Sequence, residues 1–355
     1  MIFIVSFRRT WLIPFLALTL GLNACGGTET GTGEGTAGGE SVSLTGAGAS
    51  FPAPIYQRWF SEYNKENPNV QVSYQSVGSG AGVEQFIQET VDFAASDVAM
   101  EDEEMEQVER GVALLPMTAG SIVLAYNLPG VEQLRLSRQV YTDILLGNIT
   151  SWNDPAIAEL NPDVELPDSN ITVVHRSDGS GTTKILTQHL SAINPEWQEA
   201  VGSGKTVEWP VGTGAKGNEG ITAQIVQTEG SIGYVEYGYA KQQDIPTAIL
   251  ENQSGNYVEP SVEAASSALG AVTLPDNLRA FVTDPEGEES YPIVTYTWLL
   301  AYENYNDPNK VQALKDVINW SLTEGQAYSE ELGYIPLPEN VVEKVQAELE
   351  TIQAQ

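Results

Sequence analysis

The sequence predicts an α/β fold. Segments whose apolar residues alternate with period two, as in strands, take turns along the chain with segments whose apolar residues recur at helical spacing. The chain has 355 residues, which allows about two domains at roughly 150 residues each. Three glycine-rich junctions join strand patterns to helix patterns. This alternation is typical of an α/β architecture with mostly parallel sheets.

The composition is that of a globular protein and argues against several functional classes. Hydrophobic residues make up 41% of the chain and charged residues 18%. The 16 Lys and Arg residues face 48 Asp and Glu residues, and the resulting net charge of −32 lacks the basic footprint of a nucleic-acid-binding protein. One cysteine excludes an internal disulfide, and with two histidines it argues against a zinc site of His and Cys ligands.

The N-terminal region is typical of an export signal. An apolar run follows two arginines and is too short, and too soon followed by polar residues, to cross a membrane convincingly. The only cysteine, Cys25, ends this region, with Leu22 three residues before it, which resembles the lipobox of bacterial lipoproteins. We expect residues 1–24 to be a lipoprotein signal peptide and Cys25 to be the lipidation site. The alternative is an ordinary cleaved signal with an incidental cysteine.

Residues 25–41 read as a flexible tether. They are mostly Gly, Thr and Glu, and such a segment cannot bury enough apolar surface to offset its ordering entropy. An anchor, a tether and a globular body are the layout of a protein held near a membrane. We therefore expect an extracytoplasmic, lipid-anchored protein, in the periplasm or on the outer face of the cytoplasmic membrane.

The folded body begins near Val42, and its elements follow from local patterns. Alternation predicts strands, and apolar residues three and four apart, such as Val83, Phe86 and Ile87, predict helices. The acidic first turn of residues 101–110 suits the positive end of a helix dipole. The predicted strands are 70–74, 92–96, 121–126, 171–176, 205–209, 231–237 and 293–301. The predicted helices are 55–63, 83–90, 101–110, 183–193, 309–323 and 340–353.

The three glycine-rich junctions are candidate anion sites. They lie at 46–52, 78–82 and 177–183, and each offers Ser or Thr at a helix start. The free N–H groups and positive dipole of a helix N-terminus bind anions, although for each junction alone ordinary capping is the better explanation. Arg176 stands beside the third junction, so together they indicate a shared oxyanion. The G-x-G-x-x-G at 212–217 leaves a dinucleotide loop as a weaker alternative.

Several segments, in order, resemble one known family. They are 44–56, 91–97, 176–182, 216–220, 230–237 and 333–338. The family is the phosphate-binding component of the bacterial phosphate ABC importer, and the resemblance runs from about Val42 to the end of the chain. It implies a two-domain, periplasmic-binding-protein-like fold with a hinge and a ligand cleft between the domains. We expect domain I to comprise 42–117 and 293–355, and domain II to comprise 118–292.

The resemblance also implies a role for individual residues. In the first loop the family more often has Thr where this chain has Ser50, and the hydroxyl donor is kept. Asp178 matches the carboxylate that orients the arginine. The residues implied to bind phosphate are Ser50, Phe51, Ser79, Asp97, Arg176, Ser180, Gly181 and Thr182.

The implied function is binding of inorganic phosphate outside the cytoplasmic membrane and delivery to an ABC importer by cleft closure. The implied partners are phosphate, the importer's transmembrane subunits and the membrane, through Cys25. No cofactor, metal, nucleic acid or enzymatic activity is expected, and the protein is expected to be a monomer. The alternatives are a receptor for another tetrahedral oxyanion, such as sulfate or molybdate, and a phosphate-ester hydrolase with Ser180 as nucleophile.

The chemistry of two residues agrees with these roles. Arg176 ends an apolar strand beside Gly-Ser-Gly, and its planar guanidinium can bind two oxygens of one phosphate. An ionised Asp97 would accept a hydrogen bond from a protonated phosphate oxygen, which sulfate lacks at neutral pH. The alternatives are a structural ion pair of Arg176 with Asp178, and a helix cap at Asp97.

Overall fold

The computed structural model describes residues 41–270 and 272–355. The signal peptide expected at 1–24, the lipidation site at Cys25 and all but the last residue of the expected tether lie outside the described residues. Within the described part of the chain, no helix is both long and apolar enough to cross a membrane.

Strands and helices alternate along the described chain, as the sequence predicts. The strands are β1 (Val42–Gly48), β2 (Val70–Ser76), β3 (Phe93–Ser96), β4 (Val112–Asn127), β5 (Arg135–Leu136), β6 (Thr172–Arg176), β7 (Thr213–Ala215), β8 (Ser231–Glu236), β9 (Ile249–Glu251), β10 (Tyr257–Val258), β11 (Val294–Tyr302), β12 (Asn304–Tyr305) and β13 (Gln353–Ala354). The helices are α1 (Ala53–Glu66), α2 (Ser79–Ile87), α3 (Asp102–Met105), α4 (Arg138–Leu146), α5 (Pro155–Leu160), α6 (Gly181–Ile193), α7 (Pro195–Ala200), α8 (Gly217–Gln227), α9 (Tyr237–Gln242), α10 (Val262–Gly270), α11 (Pro308–Leu322), α12 (Ser329–Leu332) and α13 (Glu339–Leu349), with a 3₁₀ helix at Glu324–Tyr328.

The main sheet has eight strands in the order β2-β1-β3-β11-β4-β8-β6-β7. Its outer pairs are parallel: β1 with β2 and β3, and β6 with β7 and β8. Its central pairs are antiparallel, because β11 pairs with both β3 and β4, and β4 pairs with β8. The expectation of a mostly parallel sheet therefore holds for the two flanks and not for the centre.

The long strand β4 is shared by both flanks of the sheet. Its first part, up to Ser121, pairs with β11, and its last part, from Ile122, pairs with β8. The register of β4 against β11 shifts beside Pro116, which has no N–H to donate. Because of this irregularity, the strand continues through the proline. The strand β4 therefore begins at Val112, nine residues before the strand predicted at 121–126.

The carboxyl ends of the parallel strands meet near the middle of β4. On one flank, Ser96 at the end of β3 lies opposite Trp298, which pairs with Pro116 of β4. On the other flank, Glu236 at the end of β8 pairs with Ile122 of β4. Since ligands bind beyond the carboxyl ends of parallel strands, both sets of loops face the same region.

Close backbone packing fixes the loops that follow β1 and β2. Helix α2 packs on β1 and β3 through Gly82, where a Cβ atom would lie 3.0 Å from the carbonyl oxygen of Ala47 and 3.2 Å from that of Ala95. On the same helix, the ring of Phe86 stacks on Tyr302 of β11 with ring centroids 4.1 Å apart. This close packing fixes the distance between the sheet and the start of α2 at Ser79.

Two local predictions are wrong. The helix predicted at 101–110 is reduced to α3, a single turn whose capping box joins Glu101 and Glu104. The segment predicted as a strand at 205–209 is a loop. In this loop the ring of Trp209 stacks on His175, with ring centroids 5.1 Å apart, so packing rather than strand pairing holds the segment.

Candidate functional site

A hydrogen-bond network joins the loops that follow β1, β2, β3 and β6. Its side chains are polar and, apart from the partly buried Asp178, almost fully buried. Most of the residues expected to bind phosphate are members, and the network links the two flanks of the sheet. Its members among the expected residues are Ser50, Ser79, Asp97, Arg176, Asp178, Gly181 and Thr182.

The centre of the network is the pair of Arg176 and Asp178. The Nε and Nη2 atoms of Arg176 donate to the two oxygens of Asp178 at 2.7 and 2.5 Å. Asp178 also accepts the backbone N–H of Gly217 at 3.0 Å. The carboxylate thus occupies the Nε/Nη2 edge of the guanidinium, and on the other edge Nη1 donates a long hydrogen bond, 3.5 Å, to the hydroxyl of Thr182. This Nη1/Nη2 edge has the geometry to bind two oxygens of an oxyanion.

The charges of this pair support each other. Burial disfavours the charged guanidinium, but the hydrogen bonds and charge of Asp178 outweigh it and raise the pKa of Arg176. Burial also disfavours the charged form of Asp178, yet Arg176 and the N–H of Gly217 hold its pKa below the ordinary value. Both groups are therefore ionised at neutral pH. Because their charges are opposite, the pair adds no net charge to the site.

Ser79 connects the two flanks through its hydroxyl oxygen. This oxygen accepts the backbone N–H of Asp97 at 3.3 Å and that of Gly181 at 3.1 Å. A Cβ atom at Gly181 would lie 2.6 Å from the Ser79 oxygen, so only glycine permits this approach. Because both lone pairs of the oxygen are used, the hydroxyl proton of Ser79 is left to donate, and the carboxylate of Asp97 lies within its reach.

Asp97 lies deep in the site and is not a helix cap, since Glu101 caps α3. Its two oxygens accept hydrogen bonds from Thr297 at 3.1 Å and from Thr182 at 3.3 Å. Burial raises the pKa of Asp97 to about 7, although the charge of Arg176 opposes the shift. Asp97 is therefore poised to share a proton near neutral pH.

Ser50 and Phe51 follow β1 and are held from the opposite flank and from the C-terminal region. The hydroxyl oxygen of Ser50 accepts the backbone N–H of Asn218 at 3.0 Å and its side-chain N–H at 2.9 Å. The carbonyl of Phe51 accepts the hydroxyl of Tyr334 at 2.7 Å, and the Phe51 ring is fully buried. This arrangement fixes the first loop against the rest of the site.

Ser180 lies at the start of α6 and does not form part of an acid–base pair. Its oxygen accepts the N–H of Thr183 at 3.0 Å, which caps the helix. The two histidines bond elsewhere: His175 to the carbonyl of Arg176, and His189 to the hydroxyl of Tyr141. In the described part of the chain, Ser180 thus has no histidine beside it to act as a base, as a serine nucleophile needs.

Sequence reasoning assigned no role to Asn218, Thr297 or Tyr239. Tyr239 donates to the carbonyl of Ser50 at 2.6 Å. Asn218 belongs to the segment 216–220, which carries part of the family resemblance, and its position at the start of a helix was a usable signal. Thr297 lies inside the apolar strand β11 and gave no signal.

Comparison with known proteins identifies the class of protein that the fold and this network define. The model of the PBP superfamily domain matches residues 30–324. Two solved structures with the same fold are a phosphate-bound, high-affinity periplasmic phosphate-binding protein (TM-score 0.70) and a DING protein (TM-score 0.71). Each is 20% identical and covers 86% of this chain and 93% of its own, a level that supports the fold alone. The chain has the two-domain fold of periplasmic binding proteins.

Closer relatives define the family. The phosphate-binding protein PstS of Pasteurella multocida is 44% identical over 316 residues, which cover 88% of this chain and 91% of the relative. The PstS of Haemophilus influenzae is 42% identical over 316 residues, which cover 88% and 94%. PstS of Methanocaldococcus jannaschii is 39% identical over 327 residues, covering 85% and 84%. The chain belongs to the PstS family of phosphate-binding proteins.

The raised pKa of Asp97 predicts how stability depends on pH in phosphate-free buffer. The ordinary pKa of the Asp97 carboxyl is 3.8, and its pKa in the folded state is about 7. Between pH 4 and pH 7 the folded state therefore holds a proton that the unfolded state has lost. Its contribution to stability is complete below about pH 4 and is lost as pH rises through about 7. We expect Asp97→Asn to gain stability relative to the wild type as pH rises from 4 to 8, measured by urea unfolding.

Asp178→Asn is the matched control, and its effect has the opposite sign. The pKa of Asp178 is lowered on folding, so its contribution is present at neutral pH and is lost in acid. This variant should be less stable than the wild type at pH 8, with a deficit that shrinks below about pH 4. A difference between wild type and Asp97→Asn that is the same at every pH would contradict the assignment.

Proposed function

We propose that this protein binds inorganic phosphate outside the cytoplasmic membrane and delivers it to an ABC importer, closing its cleft around the anion. The observation that carries the proposal is the buried guanidinium of Arg176, which Asp178 binds along its Nε/Nη2 edge. Its Nη1/Nη2 edge, where Thr182 makes only a 3.5 Å contact with Nη1, is proposed to bind the oxyanion. The hydroxyl protons of Ser50 and Ser79 add donors from the other flank. The PstS relatives are named phosphate-binding proteins, which supports phosphate as the ligand of this chain.

The proposed phosphate ligands are the residues implied by the family resemblance. Arg176 binds two oxygens, and hydroxyl or backbone N–H groups bind the rest, while Asp178 orients the guanidinium. The helix starts at Ser79 and Gly181 bring backbone donors and positive dipole ends to the anion. The full proposed set is Ser50, Phe51, Ser79, Asp97, Arg176, Ser180, Gly181 and Thr182.

Asp97 supplies selectivity in this proposal. Above about pH 7 Asp97 is mainly ionised. An ionised carboxylate only accepts hydrogen bonds, so it can accept one from a P–OH group and cannot pair with an unprotonated oxygen. Leaving two buried acceptors face to face costs enough to reject an analogue by roughly 10⁴–10⁵. Sulfate carries no proton at neutral pH, and phosphate carries at least one.

Cleft closure is proposed between domain I (42–117 and 293–355) and domain II (118–292). Several contacts join the proposed domains around the site. The N–H of Gly80 donates to the carbonyl of Gly179 at 2.8 Å, and Lys205 forms an ion pair with Glu104 at 2.6 Å. Such contacts form only when the domains are together, so they favour the closed form and bury the anion.

The remaining partners are also part of the proposal. Lipidation of Cys25 after removal of residues 1–24 would tether the protein to a membrane, and the transmembrane subunits of the importer would receive the phosphate. The protein is proposed to act as a monomer and without enzymatic activity. The capped position of Ser180 and its lack of a nearby histidine in the described residues support this second point.

Loss of the guanidinium should abolish tight binding. Arg176→Ala removes two charge-assisted hydrogen bonds of roughly 1.5–3 kcal/mol each, which corresponds to a loss of at least about 100-fold in phosphate affinity. Titration calorimetry in phosphate-free buffer measures this change. Arg138→Ala is the matched control, because Arg138 forms a similar two-bond pair with Asp284 at 2.8 and 2.7 Å outside the site. Equal losses in both variants would contradict the proposed role.

Asp97→Asn should weaken the rejection of sulfate. The amide N–H₂ can donate to a sulfate oxygen where the carboxylate repels it, so the ratio of phosphate to sulfate affinity should fall by about 100-fold or more. Competition calorimetry with both anions at pH 8, where Asp97 is mainly ionised, measures the ratio. Asp92→Asn, which alters a carboxylate bonded to Lys310 at 2.6 Å outside the network, should leave the ratio unchanged. An unchanged ratio in Asp97→Asn would remove Asp97 from the selectivity mechanism.

Membrane attachment through Cys25 is tested in cells that express the full chain. Cys25→Ser removes the thiol to be acylated, so the protein should move from the membrane fraction to the soluble extracytoplasmic fraction. Asn23→Ala, two residues away, should remain with the membrane. If Cys25→Ser stays in the membrane fraction, the anchor proposal fails.

A further inference from the structure

We infer that Asn218 is a positioning residue that commits the Ser50 hydroxyl to donate its proton to the bound anion. This inference rests on the proposed function, and it concerns a residue that does not itself contact phosphate. Asn218 is fully buried at the start of α8, on the flank of the sheet opposite Ser50.

One residue takes up both acceptor positions of the Ser50 hydroxyl. A serine hydroxyl has one proton to donate and two lone pairs to accept with. The Ser50 oxygen accepts the backbone N–H of Asn218 at 3.0 Å and the Nδ2–H of the same residue at 2.9 Å. Both lone pairs are filled by one residue, so the remaining proton can only be donated.

Asn218 is itself held in the orientation that this role requires. Its Oδ1 accepts the backbone N–H of Glu236 at 3.0 Å, which fixes the amide so that Nδ2 points to Ser50. The preceding residue, Gly217, donates its N–H to Asp178. Two successive backbone N–H groups thus bind the Ser50 hydroxyl and the Asp178 carboxylate that orients Arg176. The positions of the Ser50 hydroxyl and of the Arg176 guanidinium are thereby fixed relative to each other.

The contact also couples closure to binding. Ser50 lies in proposed domain I and Asn218 in proposed domain II, so both hydrogen bonds exist only when the domains are together. In the open form the hydroxyl of Ser50 is free to rotate and to accept from water. In the closed form the Ser50 hydroxyl can therefore only donate a hydrogen bond. This favours binding of an oxyanion, which only accepts hydrogen bonds, over binding of water.

The test is a double-mutant cycle on the full-length chain, with inorganic phosphate as the titrant. Asn218→Ala removes the Nδ2 donor and adds no charge, and it should lower phosphate affinity by about 10-fold in the wild-type background. In the Ser50→Ala background the same substitution should change affinity by less than about 2-fold. Equal losses in both backgrounds would mean that Asn218 acts through packing alone and would overturn the inference.

Asn218→Asp is a second variant that keeps the acceptor for the Glu236 N–H. Its carboxylate would take the Ser50 proton away from the anion, so affinity should fall by at least about 100-fold at pH 8. At pH 5 a protonated carboxyl donates again, and the ratio of wild-type to variant affinity should shrink. The same ratio at both pH values would indicate a structural defect and overturn the inference.

Comparison with the wild type at each pH removes the contribution of other groups. The titratable and charged groups around Ser50 and Asn218 are Tyr74, Asp97, Arg176, Asp178, Glu219, Glu236 and Tyr239. Asn194→Asp is the matched control, because Asn194 is a buried cap of α7 and should show no change in affinity. Failure of the wild type to bind phosphate would instead refute the proposed function and is seen before any variant is made.

Discussion

The ion pair of Arg176 and Asp178 is the interaction on which the rest of the site depends. A buried guanidinium is tolerated only with a hydrogen-bonded counter-charge, and Asp178 supplies it through two bonds. The same carboxylate accepts the N–H of Gly217 and thereby positions Asn218 against Ser50. One short segment after β6 therefore orients donors on both flanks of the sheet.

The shared strand β4 explains why these groups can meet. Strands on its two flanks run so that their carboxyl ends approach the middle of β4, near Ser121 and Ile122. Loops that are more than 80 residues apart in sequence, such as those of Asp97 and Thr182, then lie within hydrogen-bond distance. The strand order of the sheet thus determines where the site lies, and side-chain hydrogen bonds then fix the positions of individual groups within it.

Because the protein has a net charge of −32, an anion is attracted by local groups of the site and not by the overall field of the protein. At physiological salt the Debye length is roughly 8 Å, so exposed carboxylates are largely screened from the site. Inside, one guanidinium, helix starts and hydroxyl groups act in a buried environment where each bond is stronger. The raised pKa of Asp97 fits this picture, because burial and not repulsion by a neighbouring carboxylate is its main cause.

The sequence by itself determined the α/β class, most strands of the main sheet, several of the longer helices and the glycine-rich loops between them, because these features depend on local periodicity, glycine and capping residues. The family resemblance added the residues from Ser50 to Thr182. Only the tertiary structure decided that residues 205–209 form a loop, that α3 is one turn, and that Asn218 and Thr297 join the network. Thr297 contacts Asp97 across 200 residues of chain, and Asn218 contacts Ser50 across 168. No local pattern encodes such pairings, since strand order and the register of β4 bring these atoms together.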